Sequence, residues 1–154
     1  MESYQGDIIL SDDPGRQQLA VIHGYLTQSY WAKGISQGQV AKAMAGSYCF
    51  GLFHGDQQIG FGRLITDRAS FAYLADVFVL APYQGQGLAR WMLQSVFAQQ
   101  WCQGLRRILL VTRDAQGLYR QLGFVPPANP EGLMELHKPG IYQENCMHTI
   151  KENA

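Results

Sequence analysis

The stretch Val77-Phe78-Val79-Leu80-Ala81-Pro82-Tyr83-Gln84-Gly85-Gln86-Gly87-Leu88-Ala89-Arg90 has the residue types and spacing to do chemistry. An apolar run ends in a turn with two glycines, and the turn opens onto a helical pattern. Successive main-chain N–H groups at a helix start point outward together, and the helix dipole adds partial positive charge, so the turn suits an anion. Gly85 and Gly87 allow a bulky diphosphate to approach the main chain, where any side chain would hold it off. The same turn could also serve only to join a strand to a helix. Its spacing is neither G-x-G-x-x-G nor G-x-x-x-x-G-K-[ST], which excludes the dinucleotide fingerprint and the P-loop. Just upstream, Asp76 interrupts the otherwise apolar run Phe71 to Leu80. A carboxylate in a buried strand needs a partner or keeps its proton. His23, His54, His137 and His148 stand without ligand spacing, so no metal site is expected.

The elements that must position this turn follow from periodicity. Asp7 to Ser11 reads as a strand, and Leu19, Ile22, His23 and Leu26 recur at helical spacing. Ser36 can cap a second helix through Val40, Ala43 and Met44 to Gly46. Tyr48 to Phe53 and Gln58 to Ile65 are strand-like runs joined by His54-Gly55-Asp56-Gln57, a hairpin loop by composition. Phe71 to Leu80 reads as a strand covered on both faces. Leu88, Met92 and Val96, with Leu93, Phe97 and Trp101, form the stripe of the longest helix, closed by Gly104. Arg106 to Val111 is a further strand, Asp114 is placed to cap a helix with Leu118, Tyr119 and Leu122, and Leu133 to His137 reads as a last strand. Gln143 to Ala154 is polar and expected to be loosely held. A meander followed by two strand-helix units describes an α/β or α+β domain with a mixed sheet and helices on its faces.

Gln84-Gly85-Gln86-Gly87-Leu88-Ala89 resembles the Q/R-x-x-G-x-G/A signature of the GNAT superfamily of N-acetyltransferases. The apolar strand and Pro-aromatic stretch from Val77 to Tyr83 precede it as in family members. Ala115, Leu118-Tyr119 and Gly123-Phe124 follow at the family's spacing, so the likeness covers roughly residues 48 to 125. Ser29-Tyr30-Trp31-Ala32-Lys33-Gly34-Ile35 and Thr112-Arg113-Asp114-Ala115 are similar to a bacterial subgroup whose substrates are mostly unassigned. The resemblance implies a mostly antiparallel sheet of six or seven strands, with helices on both faces. It also implies a cofactor cleft where the strands near 72 to 80 and 106 to 111 separate.

The resemblance further implies acetyl transfer from acetyl-coenzyme A, without a metal, to a primary amine of a small molecule or peptide by direct attack in a ternary complex. A non-catalytic acetyl-coenzyme A sensor and a protein N-terminal or lysine acetyltransferase are the alternatives. By this likeness the N–H groups of Gln86, Gly87, Leu88 and Ala89 hold the pyrophosphate, Gly85 opens the turn, and the backbone of Val77, Phe78 and Val79 pairs with pantetheine. Gln84 replaces the commoner arginine, and Thr112 stands where many members carry an asparagine facing the pantetheine arm. Tyr119 matches the tyrosine that in many members protonates the departing thiolate; the alternative is a residue packed between helix and sheet with its hydroxyl at the rim. The base could be Asp76, Tyr73 or a water. By strict alternation Tyr73 and Ala75 share a face with Val77 while Asp76 points to the other side, where it could pair with Arg63 or cap a neighbouring helix. Tyr30 and Trp31 lie where members bind the acceptor, or belong to the core. None of the cysteines occupies a motif position, which argues against a covalent acetyl-enzyme.

Composition sets the outer limits. The chain has 154 residues and is 47% hydrophobic, enough for one core, so a single domain over 1–154 is expected. Lys+Arg and Asp+Glu balance at 12 each, leaving no field to draw a nucleic acid or an anionic membrane. The start, Met1-Glu2-Ser3-Tyr4, is neither a basic leader nor apolar. Cys49, Cys102 and Cys146 have no CxxC spacing and read as reduced thiols of a cytoplasmic protein. A homodimer is compatible with all of this.

Overall fold

Gly55-Asp56 joins Tyr48–His54 (β3) to Gln57–Thr66 (β4), with Gly55 at φ 59, the left-handed conformation such a tight turn requires. A computed structural model describes residues 1–143 and shows this hairpin at the centre of a six-stranded sheet of order β1-β2-β3-β4-β5-β6. Neighbours are antiparallel except the last pair, Phe71–Val79 (β5) with Arg107–Leu109 (β6), which is parallel. Ile8–Ser11 (β2) pairs with β3 and with Glu2–Gln5 (β1). The polar run Glu2 to Gln5 has no strand periodicity, and its ladder to β2 alone makes it an edge strand.

The sheet is covered on both faces. Leu19–Leu26 (α1) and Gln37–Ala45 (α2) bury Ile22, Leu26 and Val40 against Phe61 and Phe78. The Ser36 side chain caps α2 by accepting from the Gln39 N–H. On the other face Leu88–Phe97 (α3) buries Met92, Leu93 and Val96 against Phe50, Leu52, Leu64 and Leu74. None of the helices among the described residues is long and apolar enough to cross a membrane.

Four expectations need correction. The long helix stops at Phe97, because Gln99 turns extended at ψ 142; its side-chain amide donates to the Tyr48 hydroxyl at 2.9 Å and the Val96 carbonyl at 3.1 Å. Gln100–Gln103 (α4) is then a separate turn ending at Gly104. Asp114 does not cap Gln116–Gln121 (α5); the Thr112 hydroxyl accepts the Ala115 N–H at 3.1 Å instead. Leu133 to His137 forms no strand, and Met134 and Leu136 are fully exposed. The expected loose tail lies outside the described residues apart from Gln143.

The fourth correction bears on the site. Phe61 pairs with Phe78 and Arg63 with Ala75, so Asp76 and Val77 together face Gly62 across a β-bulge. Asp76 takes φ 58 there, a left-handed backbone that Asp tolerates better than most residues. The extra residue re-phases the strand. Ala72, Leu74, Val77 and Val79 all pack on the α3 side, so Tyr73 does not share a face with Val77. Asp76 does lie on the side away from Val77, and its carboxylate pairs there with Arg63, as expected, and also with Trp31.

Gly62 is required opposite this bulge. A Cβ there would stand 2.5 Å from Cε2 of Phe50, whose ring is fully buried and has nowhere to go. Gly62→Ala is expected to cost about 1–3 kcal/mol, or roughly 2–4 °C of melting temperature per kcal/mol. Thermal unfolding checks this, and an unchanged midpoint would show that the bulge region yields.

Candidate active site

The strand pair at the sheet edge opens a gap. Parallel pairing of β5 with β6 ends at Tyr73 and Leu109, while β5 continues alone on that side to Val79. Main-chain groups of Val77, Phe78 and Val79 that face away from β4 therefore have no strand partner among the described residues. A short turn over Ala81–Tyr83 then leads into α3. Gly85 and Gly87 both have positive φ, 79 and 76, and a Cβ on either would meet only open space. The N–H groups of Gln86, Gly87, Leu88 and Ala89 have no acceptor among the described residues. They converge at the N-terminus of a ten-residue helix, the arrangement that holds a diphosphate. Leu88 and Ala89 contribute main chain only, since their side chains pack into the core. Gln84 turns inward, donating its side-chain amide to the Val79 carbonyl at 2.8 Å, which ties the turn to the end of β5.

Side chains reach the gap from both faces. From the α3 side comes Tyr119 of α5, packed edge-on to Phe124 with centroids 5.8 Å apart. Its phenol has no hydrogen-bond partner among the described residues. From the α1 side come Tyr30 and Trp31, 48% and 39% exposed. The Tyr30 hydroxyl accepts the Arg113 N–H at 3.3 Å, and the Arg113 guanidinium lies 3.8 Å over the Tyr30 ring. The Trp31 indole N–H donates to Asp76 at 2.8 Å. A free strand edge leading to a cradle of N–H groups suits an extended ligand that ends in an anionic group.

Comparison with known proteins agrees. Residues 45–126 match the model of the acetyltransferase (GNAT) domain. A protein from Gibberella zeae named as a putative acetyltransferase is 33% identical over 136 residues, 75% of this chain and 77% of its own. The chain belongs to the GNAT acetyltransferase family. A crystal structure of a GNAT-family protein from Xanthomonas campestris pv. campestris is 43% identical, with TM-score 0.85 over 88% of this chain and 96% of that one. A structure from Deinococcus radiodurans R1, 18% identical with TM-score 0.69 over 93% and 95% of the two chains, shares the fold. This GNAT protein is thus a transferase, and its six-stranded mixed sheet belongs to a fold it shares with these structures.

Within the GNAT frame the titratable groups differ in what they can do. Burial, with a smaller push from the Tyr30 phenol, raises the pKa of Tyr119 above the usual phenol value, so it holds its proton at neutral pH. Tyr73 is raised too, by burial first and then by the charges of Asp76 and Glu135, so it keeps its proton at neutral pH and offers no phenolate to serve as a base. Asp76 is engaged on both oxygens, by Trp31 Nε1 and, at 2.6 Å, by Arg63 Nε. Burial lifts the Cys49 and Cys102 thiols to about 11, far from thiolate chemistry at neutral pH. His23 bonds the Ile35 carbonyl at 3.0 Å, a packing role.

Reading the chain alone missed two participants. Arg113 joins the loop after β6 to Tyr30, and Ser47 holds the Arg63 guanidinium at 2.9 Å. Arg113 lies in a segment of the resemblance and Ser47 in none, but neither position shows its partner, because each acts through a residue far along the chain. Thr112 keeps its motif position, but its hydroxyl opens α5.

Proposed function

We propose that this GNAT enzyme moves an acetyl group from acetyl-coenzyme A to a primary amine of a small molecule or peptide, by direct attack in a ternary complex. The observation that carries the reading is the row of N–H groups from Gln86 to Ala89, without acceptors among the described residues, at the end of a β5 edge that has no partner. Acetyl-coenzyme A supplies the acetyl group activated as a thioester. Gln86, Gly87, Leu88 and Ala89 bind the diphosphate through main-chain N–H groups, and Gln84 keeps the turn in shape from within. Val77, Phe78 and Val79 offer main-chain donors and acceptors to the amide groups of the pantetheine arm. A main-chain N–H there, aimed where negative charge develops on the carbonyl oxygen, supplies the largest stabilising effect in acyl transfer. Tyr119 gives its proton to the departing thiolate. Tyr30 and Trp31 border the acceptor, whose ammonium loses one proton to water before attack and, as the C–N bond forms and the C–S bond breaks, a second that restores Tyr119 through solvent. A cytoplasmic setting, where acetyl-coenzyme A and reduced thiols coexist, belongs to the same reading.

Two measurements test it. Acetyl-coenzyme A at about 100 times its Kd should stabilise the protein by about 2.7 kcal/mol, seen as a higher melting temperature. A panel of primary amines and peptides incubated with acetyl-coenzyme A should release free thiol with at least one acceptor. No thermal shift and no binding by calorimetry would remove the proposal.

A further inference from the structure

We propose that the loop Ser29 to Ile35, between α1 and α2, is a strap fastened across the gap between β5 and β6, and that Asp76 is its anchor and not the base. The inference rests on the acetyl-transfer reading only in taking this side of the gap as the acceptor's.

Two adjacent residues of the strap, Tyr30 and Trp31, are tied to different sides of the gap. On the β5 side the Trp31 indole donates to Asp76 Oδ1 at 2.8 Å, while Arg63 Nε donates to Oδ2 at 2.6 Å. Arg63 is held in turn by the Ser47 hydroxyl oxygen at 2.9 Å, and the Asp76 and Arg63 side chains are only 12% and 15% exposed. Asp76 therefore cannot swing to an incoming amine without breaking an ion pair and the indole bond together. On the β6 side the Tyr30 hydroxyl accepts the Arg113 N–H at 3.3 Å beneath the Arg113 guanidinium.

The strap is also braced within itself. The Ser29 hydroxyl donates to the Leu26 carbonyl at 2.7 Å and accepts the Ala32 N–H at 3.1 Å, and the Gly34 N–H reaches the Thr27 carbonyl at 3.0 Å. Tyr30 and Trp31 thus keep exposed aromatic surface at the rim in fixed orientation. Charge-assisted hydrogen bonds of the Trp31–Asp76 kind are the strong ones, so this anchor dominates. The bulge explains why an aspartate stands here: the left-handed backbone aims its carboxylate back at the α1 side.

The test uses the full chain in three forms, Trp31→Phe, Asp76→Gly and the double variant. Glycine suits the φ of 58 at position 76, so Asp76→Gly removes the carboxylate without backbone strain. Amide hydrogen exchange across 29–35 should quicken on the order of 10- to 100-fold in each single variant, and in the double no further than in Asp76→Gly, where the Trp31–Asp76 bond is already gone. Coenzyme A affinity by calorimetry should stay within about threefold, the shift of a group that does not touch it. For any primary amine turned over in the panel, Trp31→Phe should raise KM and leave kcat unchanged. Unchanged exchange in either single variant overturns the strap. So does a kcat loss confined to Asp76→Gly, which would make Asp76 the base. Failure of coenzyme A to bind the parent protein would count against the acetyl-transfer reading and leave the exchange result standing.

Discussion

Replacing Tyr119 by phenylalanine is expected to lower turnover on the order of 10²- to 10⁴-fold, the usual loss when a positioned proton donor is removed. The ring packs edge-on to Phe124 and within the cluster under α3, and phenylalanine keeps all of that surface. No hydrogen bond from the phenol to a described residue is lost, so melting temperature and coenzyme A affinity should hardly move. Because burial raises its pKa, the phenol keeps its proton across the neutral range. Activity between pH 6 and 9 should therefore show no limb from its ionisation, since those values lie below a phenol's ordinary pKa near 10. Steady-state kinetics of the variant with an amine from the panel, read by thiol release, give the answer. Turnover at the parent rate would make Tyr119 a packing residue. Affinity lost in step with turnover would make it a binding contact and favour a sensor.

Introducing glutamate at Gly87 should cut coenzyme A affinity on the order of 100-fold or more. A carboxylate about 5 Å from a diphosphate charge at an effective dielectric near 20 opposes binding by roughly 3 kcal/mol. The backbone adds to this. Gly87 sits at φ 76 as the residue before α3, and a side chain there costs about 1–2 kcal/mol of strain. Its Cβ would meet nothing within 4 Å, so the fold itself should survive. Gly87→Asn separates the two effects, because asparagine tolerates the left-handed region and carries no charge. Calorimetric titration of both variants should find Asn between wild type and Glu. Equal, parent-like affinities would move the phosphate site elsewhere.

The residues themselves carried the turn, the helix behind it and the hairpin. Gly85, Gly87 and Gly55 occupy positive-φ positions that few other residues accept, so their types announce the turns. The apolar run of β5 and the Leu88-Met92-Val96 stripe encode burial through periods that a single chain displays openly. The acyl-transfer family was readable for the same reason, because its motif is a local device of main-chain N–H groups at one helix start.

Strand β1, the break at Gln99 and the absence of a strand at 133–137 were not readable, since each depends on a partner elsewhere in the chain. Glu2 to Gln5 became a strand only because β2 offered it a ladder, and Gln99 left the helix to bond Tyr48. The same holds at the site. Alternation along one strand assigned Asp76 to one face, and the bulge against Gly62 re-phased everything beyond it. Whether Asp76 faces an amine, an arginine or an indole is decided by Arg63, Ser47 and Trp31, up to 45 residues away in sequence. By itself the sequence determined the local conformations, which depend on residue type and near-neighbour sterics. Only the tertiary structure decided the strand phase, the free edge and the pairing of buried charges, because these are set by register between distant segments and by which polar groups must be satisfied once water is excluded.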